Sequence, residues 1–211
     1  MTDHRKIEQT NPLDDLVIAA KTDRLAFGRL FDEFYPLIFA YCLRRLVLRA
    51  VAEDVTSDVF LRVAGKLHDF TGTTTEDFRR WLFRIATNQI NAHLRQSIRR
   101  RELLESAVAL GRINSSAIAP LIDSSTQIDW QMLYSALDEL SEREQSIISL
   151  RFFAGLNHNQ ISEVLAGNAG AIRVTLSRSL EKMRSILRED QINQRALSDQ
   201  KRGDHRHVRI T

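Results

Sequence analysis

Cysteine occurs once in this chain of 211 residues, proline three times and glycine eight times. A single thiol, Cys42, excludes a disulfide framework and any zinc site built from several cysteines. It lies between Tyr41 and Leu43 in an apolar run, which favours a buried structural thiol over a reactive one. Scarcity of proline and glycine, with 43% hydrophobic residues, suits a helical globular protein. No run is long and apolar enough to span a bilayer, and Met1-Thr2-Asp3-His4 does not open a signal peptide, so a cytoplasmic location without membrane insertion is expected. The six histidines form no HExxH pair, and no Walker-type glycine loop, GxGxxG or GxSxG occurs. No catalytic residue, metal ligand or cofactor is therefore expected, and enzymes are disfavoured. Thirty basic residues against 27 acidic ones leave a net charge of only +3, so the position of the charge matters more than its total.

What is present is helical periodicity, and the stretch from Leu140 to Leu187 organises it. Ser141 followed by Glu144 is a capping-box signature for a helix carrying Ile147, Ile148, Leu150 and Phe152, which Gly155 is placed to end. Asn157 with Gln160 repeats the signature before Ile161, Val164 and Leu165. Gly167-Asn168 reads as a turn, both residues tolerating positive φ. The next helix aligns Ile172, Leu176, Leu180, Met183 and Leu187 in one stripe, leaving Arg173, Val174, Ser177, Arg178 and Glu181 for other faces. Short helix, turn, longer helix with basic early turns is a helix-turn-helix pattern, which places the second helix in the DNA major groove. A plain three-helix bundle with a solvated charged face remains the other reading.

Upstream, residues 1–21 read as a loose lead-in. Asp23 can cap a helix carrying Phe27, Leu30, Phe31 and Phe34, and Pro36 fits the first turn of the next. A third helix, about Val51 to Leu67, turns Ala52, Val55, Val59, Val63 and Leu67 inward. Its other face sets Glu53, Asp54, Ser57 and Asp58 beside Phe60 and Leu61. That is either a protein-docking face or an ordinary solvated charge run.

The hydroxyl-rich loop Thr71-Gly72-Thr73-Thr74-Thr75 precedes a helix that Thr75 can cap, with Phe78, Leu82, Ile85, Ala86 and Gln89 inward. Arg80, Arg84, Asn88, Asn91 and Arg95 recur on another face, with Trp81 between the two. Cations for phosphates, amides for base edges and nearby aromatics for stacking suit single-stranded DNA. No Asp or Glu lies between Arg80 and Arg95, and the helix runs on to Arg99-Arg100-Arg101, which favours a polyanion over plain solvent. Residues 97–127 read as an interdomain linker with some helix near Glu102 to Leu110. The basic tail after Leu187 reads as disordered.

The run Ala52-Glu53-Asp54-Val55-Thr56-Ser57-Asp58-Val59-Phe60-Leu61-Arg62-Val63 resembles the core of sigma factor region two. Phe78-Arg79-Arg80-Trp81-Leu82-Phe83-Arg84-Ile85-Ala86-Thr87-Asn88 is similar to the following helix of that region, and Leu140 through Leu156 resembles the opening of region four. The resemblance is to the extracytoplasmic-function group of the sigma-70 family and covers Leu25 to Leu187. It implies an all-α fold of two small helical domains joined by a flexible linker: region two over 22–96, linker 97–127, region four over 128–188 and a tail over 189–211. The implied function is binding of RNA polymerase core and promoter-specific initiation, with strand opening by the first domain. A stand-alone helix-turn-helix regulator is the alternative, and it leaves the Arg80–Arg95 face unexplained.

By the same resemblance, Glu53, Asp54, Ser57, Asp58 and Leu61 would dock on the clamp helices of the largest polymerase subunit, and the flap would be a further contact. Thr73, Thr74, Arg80, Trp81, Arg84, Asn88, Asn91 and Arg95 would handle the minus-ten element. Arg173, Val174, Ser177 and Arg178 would handle the minus-thirty-five element. Implied partners are polymerase core, promoter DNA and an anti-sigma factor, with no ATP or metal. This chain departs from the family pattern at Ala166-Gly167, where glycine usually comes first, at Ala92, where an acid is common, and at Thr175, where arginine is frequent.

Overall fold

A computed structural model of the chain describes residues 11–109, 133 and 135–204. The first domain comprises α1 (Pro12–Ala19), α2 (Arg24–Leu46), α3 (Arg49–Lys66), a 3-10 turn at Leu67–Asp69 and the long α4 (Thr75–Ala109). In the second domain residues 135–138 are helical, followed by α5 (Glu142–Phe152), α6 (His158–Val164) and α7 (Ala169–Asp204).

α3 packs between α2 and α4, and α1 lies against α2 and α4. Leu30, Ile38, Tyr41, Cys42, Val59, Phe78, Leu82, Phe83 and Ile90 are buried between them. Burial pushes the Tyr41 hydroxyl up to about 12 and the Cys42 thiol up to about 11, so both stay neutral. Tyr41 meets its need for a polar partner inside this core through Thr87, 3.0 Å away.

Several local expectations are revised. Residues 12–19 are not a loose lead-in: Asn11 caps α1, Pro12 stands in its first turn, and Val17 is fully buried. Pro36 lies inside a continuous α2 rather than starting a new helix. The carbonyl it leaves without a donor belongs to Asp32, an exposed residue that water can serve. Phe60 does not share the outer face with Leu61. It packs edge-on against Phe31, ring centroids 4.7 Å apart, and is 5% exposed, whereas Leu61 is 71% exposed. The helical backbone of α4 continues to Ala109 and that of α7 to Asp204, so part of the linker and of the tail is helical. Good helix formers and the absence of proline explain both extensions. Residues 110–132 and 205–211 of those two segments lie outside the described residues.

The link from α2 to α3 carries strain. Val47 has φ 64° and ψ −48°, with Leu48 N donating to Leu46 O at 2.6 Å, a γ-turn of the uncommon hand. A β-branched residue pays sterically for that conformation. Val47→Gly is expected to raise stability by about 1 kcal/mol, read as an increased urea midpoint at unchanged slope.

In the second domain both capping boxes form in full, at Ser141/Glu144 and Asn157/Gln160. Ile147, Leu150, Leu156, Ile161, Val164, Ile172 and Met183 close its core. The α6–α7 turn places Ala166, not Gly167 or Asn168, at positive φ (47°). Gly167 N donates to Ser162 O at 2.7 Å, the bond of a Schellman motif whose left-handed residue is Ala166. A Cβ at Gly167 would lie 2.8 Å from an Arg143 guanidinium nitrogen, a contact that a shift of that long side chain would relieve. Asn168 then caps α7 by accepting from Gly170 N at 2.8 Å and Ala171 N at 3.2 Å.

Candidate functional site

Three surfaces carry the sequence-identified residues. On α3, Asp54, Ser57, Asp58 and Leu61 are exposed and Glu53 is half-buried. Ser57 donates back to Glu53 O at 3.0 Å and Arg49 pairs with Glu53 at 2.8 Å, so the face is internally ordered and leaves Asp54, Asp58 and Leu61 outermost.

The second surface joins the 70–75 loop to α4. Thr74, rather than Thr75, caps the helix: its hydroxyl accepts from Asp77 N at 3.1 Å, while the Asp77 carboxylate accepts from Thr74 N at 3.3 Å. Thr75 N and its hydroxyl both donate to Asp14 on α1, at 2.6 and 2.5 Å. Lys21 donates to Gly72 O at 2.9 Å and lies over the Phe70 ring. Glycine is needed at 72, where a Cβ would sit 2.6 Å from Asp77 Cβ. Phe70 lies against Trp81, centroids 4.9 Å apart. Together with Thr71, Asp77, Arg80 and Arg84 they line an open cavity of about 290 Å³, to which Glu163 of the second domain also contributes.

Asp14 and Lys21 were not singled out from sequence, although Asn11-Pro12 is a helix-start signal that could have found α1. Their contacts anchor the loop from 61 and 51 residues away in sequence. Thr75's hydroxyl and then its N–H hold the Asp14 carboxyl below its ordinary 3.8, and Thr74 does the same for Asp77. A carboxyl depressed in the folded state contributes stability that is present above its ordinary value and lost as pH falls through the lowered one. Asp14→Ala is expected to lower the thermal midpoint at neutral pH. Asp14→Asn, whose amide oxygen still accepts, is expected to lose less and to flatten the decline below pH 3.8 expected of the native chain. Thermal melts from neutral pH downward check both.

The Arg80–Arg95 face is not open in this structure, and this is the main correction to the sequence reading. Arg80 pairs with Asp77 at 2.5 Å and with Glu163 at 2.6 Å. Arg84 donates to Glu163 O at 2.5 Å, and Arg95 pairs with Glu142 at 2.6 Å. Asn91 is buried rather than outward, donating to Ser146 at 3.2 Å and accepting from Arg45 at 3.1 Å. Burial of its neighbourhood pushes the Arg45 guanidinium below its ordinary value. The acids missing between Arg80 and Arg95 come mainly from the second domain. Trp81 is half-buried, and Thr73 and Asn88 are exposed.

On the third surface, Arg173, Val174, Ser177 and Arg178 are exposed on α7, opposite the buried Ile172, Leu176, Ser179 and Met183. Val174, 49% exposed, is an apolar residue suited to a thymine methyl. Among the described residues no group of acids, histidines or cysteines is arranged to hold a metal, and no helix is long and apolar enough to cross a membrane.

Comparison with known proteins bears on both domains. The sigma-70 region 2 model matches residues 30–101 and the sigma-70 region 4 model matches residues 136–185. The ECF RNA polymerase sigma factor BldN of Streptomyces coelicolor is 30% identical over 166 residues, which are 78% of this chain; the chain spans 61% of BldN's length. The ECF RNA polymerase sigma factor SigL of Mycobacterium tuberculosis is 28% identical over 171 residues, 81% of this chain and 94% of SigL. The solved structure of the sigma factor RpoE in complex with the anti-sigma factor NepR from Bartonella quintana shares the fold, with a TM-score of 0.55 and 21% identity over 77% of this chain and 96% of that one.

Proposed function

The chain belongs to the extracytoplasmic-function group of the sigma-70 family, and from that premise we propose that it binds RNA polymerase core and directs initiation at promoters through the three surfaces described. The exposed face of α3 carries this reading. A stand-alone regulator has no use for Leu61, 71% exposed and rimmed by Asp54 and Asp58. An apolar centre with a charged rim is the anatomy of a docking site, and the clamp helices of the largest polymerase subunit are its proposed counterpart, with the flap receiving the second domain.

The cavity beside Phe70 and Trp81 would take a base flipped from the minus-ten element. Ring stacking and the polar groups of Asp77 and the 70–75 loop would offset its unstacking. Arg80, Arg84 and Arg95 would hold the phosphates of the separated strand, and Asn88 would reach a base edge. Arg173, Val174, Ser177 and Arg178 would read the minus-thirty-five element from the major groove. None of this needs a catalytic group, metal or nucleotide cofactor from the chain. A cytoplasmic location follows from the polymerase partner. The anti-sigma factor in the RpoE structure supports an inhibitor of that class here as well.

Replacing Asp54 and Leu61 together by alanine is expected to weaken core binding by about tenfold or more, as for a docking centre worth at least 1–2 kcal/mol. Helix content should stay unchanged, since neither side chain is buried. Undiminished capture on immobilised core polymerase by the folded double variant would place the docking face elsewhere.

A further inference from the structure

The 70–75 loop is held from a part of the chain that precedes the sigma-70 region 2 match, which begins at residue 30. We propose that α1 sets minus-ten specificity: Asp14 and Lys21 are positioning residues that fix the loop, and through it which base the cavity accepts. The inference rests on the minus-ten assignment above.

α1 is a firm support. Asn11 caps it, Pro12 opens it, Val17 and Ala20 are buried, and the helix packs against α2 and α4. Asp14 stands in its first turn and Lys21 just past its C-cap, so the two side chains leave from opposite ends of the helix, about 10 Å apart along its axis. They hold the loop at two places. Thr75 N and its hydroxyl donate to one Asp14 oxygen, at 2.6 and 2.5 Å. Lys21 donates to Gly72 O at 2.9 Å, and its ammonium lies 5.2 Å from the centre of the Phe70 ring. Thr71 and Thr73 stay exposed among these anchors.

The anchors bear on the cavity itself. Phe70, Thr71 and Gly72 line it, and so does Trp81, whose ring centre lies 4.9 Å from that of Phe70. Lys21 therefore holds one aromatic wall and the carbonyl beside it. The four bases differ in the donors and acceptors on their edges. A pocket tells them apart only if its own polar groups are held to within about 0.5 Å. Residues 70–74 belong to no helix or strand, and α1 supplies the rigidity that their own backbone lacks.

Transcription by core polymerase with the full chain tests this, on promoters randomised across both elements, with the productive templates sequenced. Thr71→Ala with Thr73→Ala marks the position that the loop reads, as the one where base preference changes. At that position Asp14→Ala with Lys21→Met should lower the enrichment of the best base over the worst by at least about fivefold. All other positions, in the minus-ten and the minus-thirty-five element alike, should change by less than about twofold. Asp14→Asn with Lys21→Arg keeps an acceptor for Thr75 and a donor for Gly72, and should keep the preference. Tyr41→Phe is the control for stability alone. It deletes the buried bond to Thr87, about 18 Å along α4 from Thr75, and should lower transcript yield on warming without altering base preference. All variants are compared at a temperature where they keep native helix content. If the paired substitutions do not fold, Asp14→Ala and Lys21→Met singly should each lower the same enrichment by at least about twofold.

An unchanged preference at the position that the loop reads overturns the proposal. So does an equal fall at every position, or the same change in Tyr41→Phe, since the role is then structural only. In each of these cases the effect of Thr71→Ala with Thr73→Ala leaves the minus-ten assignment standing. If that loop variant changes no position, the cavity assignment itself fails, and the positioning role with it.

Discussion

Arg84→Ala combined with Asn88→Ala should reduce open-complex formation on duplex promoter DNA by about ten- to a hundredfold, and much less on a template carrying a premelted bubble. Two contacts to an unstacked strand, each worth about 1 kcal/mol, the lower end for such contacts, give a factor inside that range. Both residues are exposed and lie on the α4 face that borders the Phe70–Trp81 cavity or continues it. Their loss removes strand capture without removing a core side chain. Arg84 also donates to Glu163 O, so its removal frees a second-domain contact as well, and the loss on either template is net of that effect. Trp81 is a poorer probe. It packs against Phe70 and Phe78, and its truncation would disturb the loop as well as the DNA. Equal losses on both templates would mean a defect in folding or polymerase docking instead. Heparin-resistant complexes on the two templates, measured by gel shift, give the difference.

The recognition helix should separate reading from holding. Arg173 and Arg178 are five residues apart, hence roughly 140° around α7, and cannot serve one base pair. Ile172, Leu176, Ser179 and Met183 define the buried side. Val174 and Ser177 point away from it, with Arg178 beside them and Arg173 nearer the edge of the buried stripe. Arg178→Ala is therefore expected to cost about 1–3 kcal/mol on the preferred minus-thirty-five sequence and less on others, relaxing specificity. Arg173→Ala should weaken binding to all sequences alike and flatten the salt dependence by roughly one phosphate's worth. Affinities of the full chain assembled on core polymerase, over promoter variants and several salt concentrations, decide this. Uniform loss for Arg178→Ala with altered preference for Arg173→Ala would exchange the two roles. Asn168 at the N-cap and Ala166 in the turn set the rotation of α7, and a small change there is what would exchange them.

How much of this was legible in sequence depended on range. Both capping boxes, the inward residues of α3 and the stripe Ile172, Leu176 and Met183 follow from neighbours three or four residues away, and the structure contains them. Phe60 was misplaced because its partners, Phe31 and Tyr35, come from another helix. Pro36 was misread because proline's cost inside a helix depends on which carbonyl is orphaned, and Asp32 is exposed. Val47 and Ala166 adopt positive φ without being glycine, at the turns that follow α2 and α6. Asn91 looked like a member of the DNA stripe because its spacing was right. Its burial against Ser146 and Arg45 arises from contacts 55 and 46 residues away. The absence of acids from Arg80 to Arg95 favours a polyanion partner on sequence, and spacing within one helix carries no sign that Glu163 and Glu142 would pair with Arg80 and Arg95.

Transcription from a library of randomised upstream sequences, with core RNA polymerase in the presence and absence of this chain, tests the sigma-factor reading most directly. Transcripts should appear with the chain, and the templates that yield them should share two separate elements at fixed spacing, about ten and thirty-five base pairs upstream of the start. Transcript levels that do not change when the chain is added, or enrichment of a single element near no particular start site, would contradict it.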